Sequence, residues 1–137
     1  MVVDANLWIS AALPQDLHHA VSQGWMTGNV GPYTPLELPA LVLAEITGAI
    51  ARRTSSTERA RRALRDLRRL PMLHLVPLDH DLAHSAADLA ATLRLRGADA
   101  VYVAVAQLFG VALVTLDREV AERARAVVRT VNPLEQS

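Results

Sequence analysis

The sequence predicts an α/β fold with a parallel sheet covered by helices on both faces. Short apolar runs of strand character alternate with segments of helical periodicity, which is the pattern of crossover-connected parallel strands. Two of the helical segments are apolar almost all round, as helices packed on both sides are. The composition fits: 51% of the 137 residues are hydrophobic, only 4% are aromatic, and Ala, Leu and Val dominate, which argues against disorder. The length predicts one domain, 1–137, large enough to bury a core.

Met1–Asp4 reads as a buried first strand. Asp4 at its end stands where ligands bind in an open parallel sheet, beyond the carboxyl ends of the strands. Asp is also a common helix N-cap, so Asp4 alone leaves both roles open. Leu7–Leu13 is a short helix stopped by Pro14, and Asp16–Met26 a second one capped by Asp16, with Leu17, Val21 and Trp25 inward. A Gly- and Pro-rich linker, Thr27–Pro35, leads to a brief strand near Leu36–Leu38.

Pro39 suits the first turn of a helix running to about Arg53, with Leu41, Val42, Leu43, Ala44, Ile46, Ala49 and Ile50 burying it on all sides. Thr57–Leu70 is amphipathic: Ala60, Ala63, Leu64, Leu67 and Leu70 form one face and arginines the other, until Pro71. Met72–Pro77 is a strand. Asp79 caps a helix to about Leu95, with Leu82, Ala86, Leu89, Ala90 and Leu93 inward, and Gly97 breaks it. Ala98–Phe109 is the second nearly all-apolar helix. Val111–Leu116 is a strand, Asp117 caps a last helix to about Ala126, and Val127–Val131 closes the set.

No cysteine is present, which excludes a disulfide framework, a zinc–thiolate site and a cysteine nucleophile. The N-terminus has no basic segment before an apolar run, and no apolar stretch reaches the ~20 residues of a membrane span. A soluble, cytoplasmic protein is expected. All fourteen basic residues are Arg, so chemistry needing a lysine amine is excluded. The formal net charge is zero but uneven: eight Arg against Glu58 and Asp66 give Arg52–Arg69 a net +6 and leave −6 elsewhere.

Four acids stand out by context. Asp4 and Asp117 end strands, and Glu45 and Asp99 lie in the two apolar helices. An unpaired carboxylate in apolar surroundings costs several kcal/mol or takes up a proton. Glu45 has no Arg within helical reach and needs a tertiary partner, water or a metal. Asp99 also suits the first turn of its helix, and Asp117 also suits an N-cap. Together the four can meet at one edge of a doubly wound sheet, where an all-oxygen cluster selects a hard cation such as Mg²⁺ or Mn²⁺. Such an ion activates water and neutralises a phosphodiester's transition state.

Val2-Val3-Asp4-Ala5-Asn6, Pro39–Glu45, Leu95-Arg96-Gly97-Ala98-Asp99 continuing to Ala104, and Leu113-Val114-Thr115-Leu116-Asp117-Arg118, in that order and spacing, resemble the PIN-domain ribonucleases, in particular the VapC-like toxins of bacterial toxin–antitoxin pairs. The resemblance spans essentially the whole chain. It implies a three-layer α/β/α domain with a parallel sheet ordered 3-2-1-4-5, and catalytic, metal-holding acids at Asp4, Glu45, Asp99 and Asp117. It also implies ligand-orienting groups at Asn6 and Thr115, Mg²⁺-dependent cleavage of RNA, a homodimer, and inhibition by a small antitoxin. The linker Gly24–Leu38 is longer and richer in Gly and Pro than the resemblance leads one to expect, which leaves the second strand open.

The Arg face of Thr57–Leu70, with Arg61, Arg65 and Arg68, could contact RNA, an acidic antitoxin segment, or solvent. His80 and His84 stand i,i+4 on one helix, but no third ligand pattern accompanies them, and a solvated face is expected. Trp8, Trp25 and Tyr102 are expected in the core or at a dimer contact. Two other classes fit less well. A phospho-receiver module shares strand-end acids and Mg²⁺ but needs a Lys that is absent here, and an inactive PIN-like scaffold would have no need of four acids.

Overall fold

In a computed structural model describing residues 1–136, every paired strand runs parallel. The elements are β1 (Val2–Val3), α1 (Ala5–Ala12), α2 (His19–Asn29), β2 (Leu36–Pro39), α3 (Val42–Thr54), α4 (Thr57–Arg68), β3 (Leu73–Val76), α5 (His80–Leu93), α6 (Gly97–Phe109), β4 (Leu113–Val114), α7 (Arg118–Ala124) and β5 (Thr130–Val131), then a 3₁₀ turn at Pro133–Glu135.

β1 lies beside β4 with Val2 opposite Leu113, and β4 lies beside β5 with Leu113 opposite Thr130. β2 pairs with β3, Leu36 opposite Leu73. The expected order 3-2-1-4-5 is met in two pieces, β1-β4-β5 and β2-β3. At the seam the Glu37 N–H donates to the Met1 carbonyl at 3.1 Å, and the Met1 ammonium to the Pro35 carbonyl at 2.9 Å. Val2, Val3, Leu38 and Leu113 are fully buried, as strands covered on both faces require.

α6 packs on β1, β2 and β4 and against α5; α1 packs against α2 and α3, and α3 against α4. Val101–Ala106 of α6 are all buried, so this helix is the spine of one layer. α4 is amphipathic as expected, with Ala60 and Leu67 buried, and Ser56 caps it by accepting the Arg59 N–H at 3.1 Å. Asp79 caps α5 through the Leu82 N–H at 2.8 Å.

Several expectations are corrected. Pro39 ends β2, a position that needs no ladder N–H, and α3 begins three residues later. α3 is apolar on one side only: Val42, Ile46, Ala49 and Ile50 are buried while Ala44 is exposed. Leu17 is 90% exposed because the chain turns before α2 starts at His19. Asp16 caps no helix. It accepts hydrogen bonds from the Ser10 hydroxyl (2.8 Å) and the His18 N–H (2.9 Å) and pairs with Arg53 at 2.8 Å, tying α1, the α2 entry and the end of α3 together. α2 continues to Asn29, into the stretch expected to be linker. Arg94, in the left-handed conformation at φ 54°, ends α5, and Gly97 opens α6. Among the described residues no helix is long and apolar enough to cross a membrane.

Candidate active site

Asp4 directly follows β1 and Thr115 directly follows β4, so the pairing of those strands sets the two side by side at the carboxyl edge of the sheet. The Asp4 N–H continues the ladder to the Val114 carbonyl at 2.9 Å. The fully buried Thr115 hydroxyl donates to Asp4 Oδ2 at 2.7 Å. It accepts from Asn6 Nδ2 at 3.2 Å and from the Asp117 N–H at 3.1 Å. One donor and two acceptor positions is a hydroxyl's full capacity. Asn6 in turn accepts from the Leu116 N–H at 3.4 Å. Thr115 therefore fixes a carboxylate, an amide and the backbone that delivers Asp117.

Asp4 occupies the N-cap position of α1, yet its side chain makes no capping hydrogen bond. Asp117 does cap: its Oδ1 accepts the Val120 N–H of α7 at 3.1 Å. Glu45, in the first turn of α3, accepts a hydrogen bond from the Tyr102 hydroxyl at 2.8 Å. Asp99, in the first turn of α6, pairs with the Arg96 guanidinium at 3.4 Å.

The electrostatics link all four. Burial pushes the Asp4 carboxyl up from 3.8 to about 6; the Thr115 hydrogen bond opposes this, and the charges of Asp99 and Glu45 reinforce it. Glu45 is raised by burial, against the Tyr102 hydrogen bond and with the Asp99 charge. Asp99 is raised by burial, against Arg96 and with the Asp117 charge. Asp99 is thus the carboxylate that feels or acts on each of the others. Burial, and then the Glu45 charge, hold the Tyr102 proton far above its ordinary range, so the hydroxyl remains a donor.

Among the described residues, no three acids or imidazoles stand close enough to form a ready-made coordination cage. Each acid instead has a local partner: Thr115, Tyr102, Arg96 or the Val120 N–H. The donor set is all oxygen, and burial followed by neighbouring carboxylate charge raises Asp4, Glu45 and Asp99. That chemistry fits a hard divalent cation, which favours the charged forms.

Arg61, Arg65 and Arg68 lie on the exposed face of α4, where Arg65 pairs with Glu58 at 3.1 Å. Among the described residues no ion pair joins them to the four acids. Sequence reasoning missed two neighbours of the acids, Tyr102 and Arg96. Arg96 is the N-cap residue of α6, three residues before Asp99, and Tyr102 stands three residues after Asp99 on the helix itself.

The family model described as PIN domain matches residues 1–126. Among curated proteins no sequence matches significantly. Solved structures of toxins and toxin–antitoxin complexes share the fold. Mycobacterium tuberculosis VapC20, described as a sarcin–ricin loop cleaving toxin, superposes with a TM-score of 0.76 at 20% identity, over 96% of this chain and 98% of that one. FitAcB from Neisseria gonorrhoeae gives 0.72 at 20% identity over 97% of each chain. VapBC2 from Rickettsia felis, bound to a promoter DNA fragment, gives 0.69 at 13% identity over 96% of each. With its family model matched over nearly its full length, the chain belongs to the PIN domain family.

Proposed function

We propose that this chain is a metal-dependent endoribonuclease and the toxin of a VapBC-type toxin–antitoxin pair. The observation that carries the reading is a chain of like charges: Asp99 and Glu45 raise Asp4, Asp99 raises Glu45, and Asp117 raises Asp99, a repulsion that a cation would relieve. Membership of the PIN family and the likeness in fold to toxins and toxin–antitoxin complexes support it.

In this reading the four acids hold Mg²⁺, with Mn²⁺ able to substitute. When bound, the ion supplies charge neutralisation at the phosphodiester and a more acidic water. The chain's own groups do the positioning. Thr115 and Asn6 orient Asp4 and the strand end that carries Asp117, and Tyr102 orients Glu45. Cleavage leaves a 5′-phosphate and a 3′-hydroxyl.

The protein works in the bacterial cytoplasm as a homodimer held in check by a small antitoxin. Exposed Leu78, Leu108 and Phe109 offer apolar surface of the kind a second copy covers. A groove lined by Trp8, Met26, Ile46, Ala63 and Leu67, beside the Arg face of α4, suits an acidic amphipathic segment of the antitoxin. The test is RNA cleavage in Mg²⁺ by the wild type and by Asp4→Asn. Asn fills the Asp4 position with little change of shape but is a poorer ligand for a hard cation, so cleavage is expected to be lost; equal cleavage by both proteins overturns the assignment.

A further inference from the structure

His80 and His84 were expected to face solvent without a role, and both are exposed. Their rings nevertheless converge. The two Nε2 atoms stand 3.1 Å apart, with ring centroids at 4.5 Å and planes at 80°. One helical turn separates the residues, and the Asp79 cap fixes the first turn of α5 that carries them.

We propose that His80 and His84 form a second metal site, for a borderline divalent cation such as Zn²⁺ or Ni²⁺, separate from the carboxylate cluster. Two imidazole nitrogens bound at about 2.0–2.1 Å stand about 2.9 Å apart at a right angle and about 3.4 Å apart at a tetrahedral one. The observed 3.1 Å lies between these, so a small ring rotation admits the ion. The local field favours a cation: Asp79, Asp81 and Asp88 lie on or next to α5, and no Arg occurs from Asp79 to Leu93. Water completes the shell, since among the described residues no third acid or imidazole is close enough to join. Donor softness separates the two sites, because imidazole suits Zn²⁺ and Ni²⁺ whereas an all-carboxylate cluster suits Mg²⁺.

A lone N–H···N hydrogen bond between the rings gives the same separation, and the experiment distinguishes the two. Calorimetric titration with Zn²⁺ and with Ni²⁺ is run in saturating Mg²⁺ on the wild type, Asp4→Asn, His80→Ala and His84→Ala. The expected result is one equivalent bound by the wild type and by Asp4→Asn. Either His variant should bind about a hundredfold more weakly, as when one of two linked ligands is lost. Both positions are exposed and Ala is the best helix former, so the variants fold. Long-range ¹H–¹⁵N spectra should show the ion moving the Nε2 resonances of two imidazoles and leaving those of His18, His19 and His74 in place. No uptake by the wild type, or equal uptake by His84→Ala, overturns the proposal and leaves a hydrogen-bonded pair only.

Discussion

The Tyr102 hydroxyl, buried in the spine of α6, donates to Glu45 Oε1 at 2.8 Å across 57 residues of sequence. This is the tertiary partner that a half-buried Glu with no Arg in helical reach requires, and it pins the carboxylate contributed by α3 to the helix that carries Asp99. Tyr102→Phe keeps the ring and removes only that bond. Urea denaturation should show a loss of about 1–2 kcal/mol. Mn²⁺ binding should weaken by about tenfold, the scale of losing a group that orients a ligand. Unchanged Mn²⁺ affinity would reduce Tyr102 to a packing residue.

Thr115 concentrates more of the site in one atom. Thr115→Val preserves shape but leaves Asp4 without its donor, and the Asn6 amide and Asp117 N–H without their acceptor. Unfolding free energy should fall by about 2–3 kcal/mol, the scale of stranding buried polar groups. Thr115→Ser should recover most of it. Equal loss in both variants would point to the methyl group instead.

Stability should depend on pH in the direction opposite to a salt-bridged acid. Between 3.8 and about 6 the folded chain retains a proton at Asp4 that the unfolded chain has released. Stability therefore falls as pH rises through that window, by on the order of 3 kcal/mol for Asp4, and stays reduced above it. Glu45 and Asp99 shift in the same direction. Denaturation in EDTA from pH 4 to 7 should show the decline, and Mg²⁺ should flatten it. Asp4→Asn should shrink the slope and be the more stable protein at pH 7 without metal.

The Arg face of α4 makes a claim about salt. Should Arg61, Arg65 and Arg68 each meet an RNA phosphate, replacing all three with Gln lowers the slope of log affinity against log salt by about 2 for single-stranded RNA. Filter binding at several salt concentrations measures it. An unchanged slope assigns that face to the antitoxin or to solvent.

The strand-end acids and the caps at Asp79 and Asp117 were legible in the sequence because each depends on a few consecutive residues. So was the α4 stripe, where the period of the apolar residues matches the helix. What sequence hid was tertiary. Tyr102 reads as one more apolar residue in a buried helix until α3 is laid against it. Pro39 favours a helix start by local preference, but pairing with Val76 keeps it in a strand. Leu17 carries the right period for an inward face, yet Asp16 spends its carboxylate on Ser10, His18 and Arg53, and the helix begins two residues beyond Leu17. The division of the sheet had no signal at all, since strand runs report their own burial and not which neighbour bonds to them.

That division places acids on either side of a seam crossed by few backbone hydrogen bonds. Asp4 and Asp117 extend from β1-β4-β5, whereas Glu45 rides on the helix that follows β2. The Glu37 amide spans the gap between them. It is therefore a natural gauge of whether the acids are clasped: hydrogen–deuterium exchange at Glu37 should slow when Mg²⁺ is added to the wild type and stay fast in Asp4→Asn.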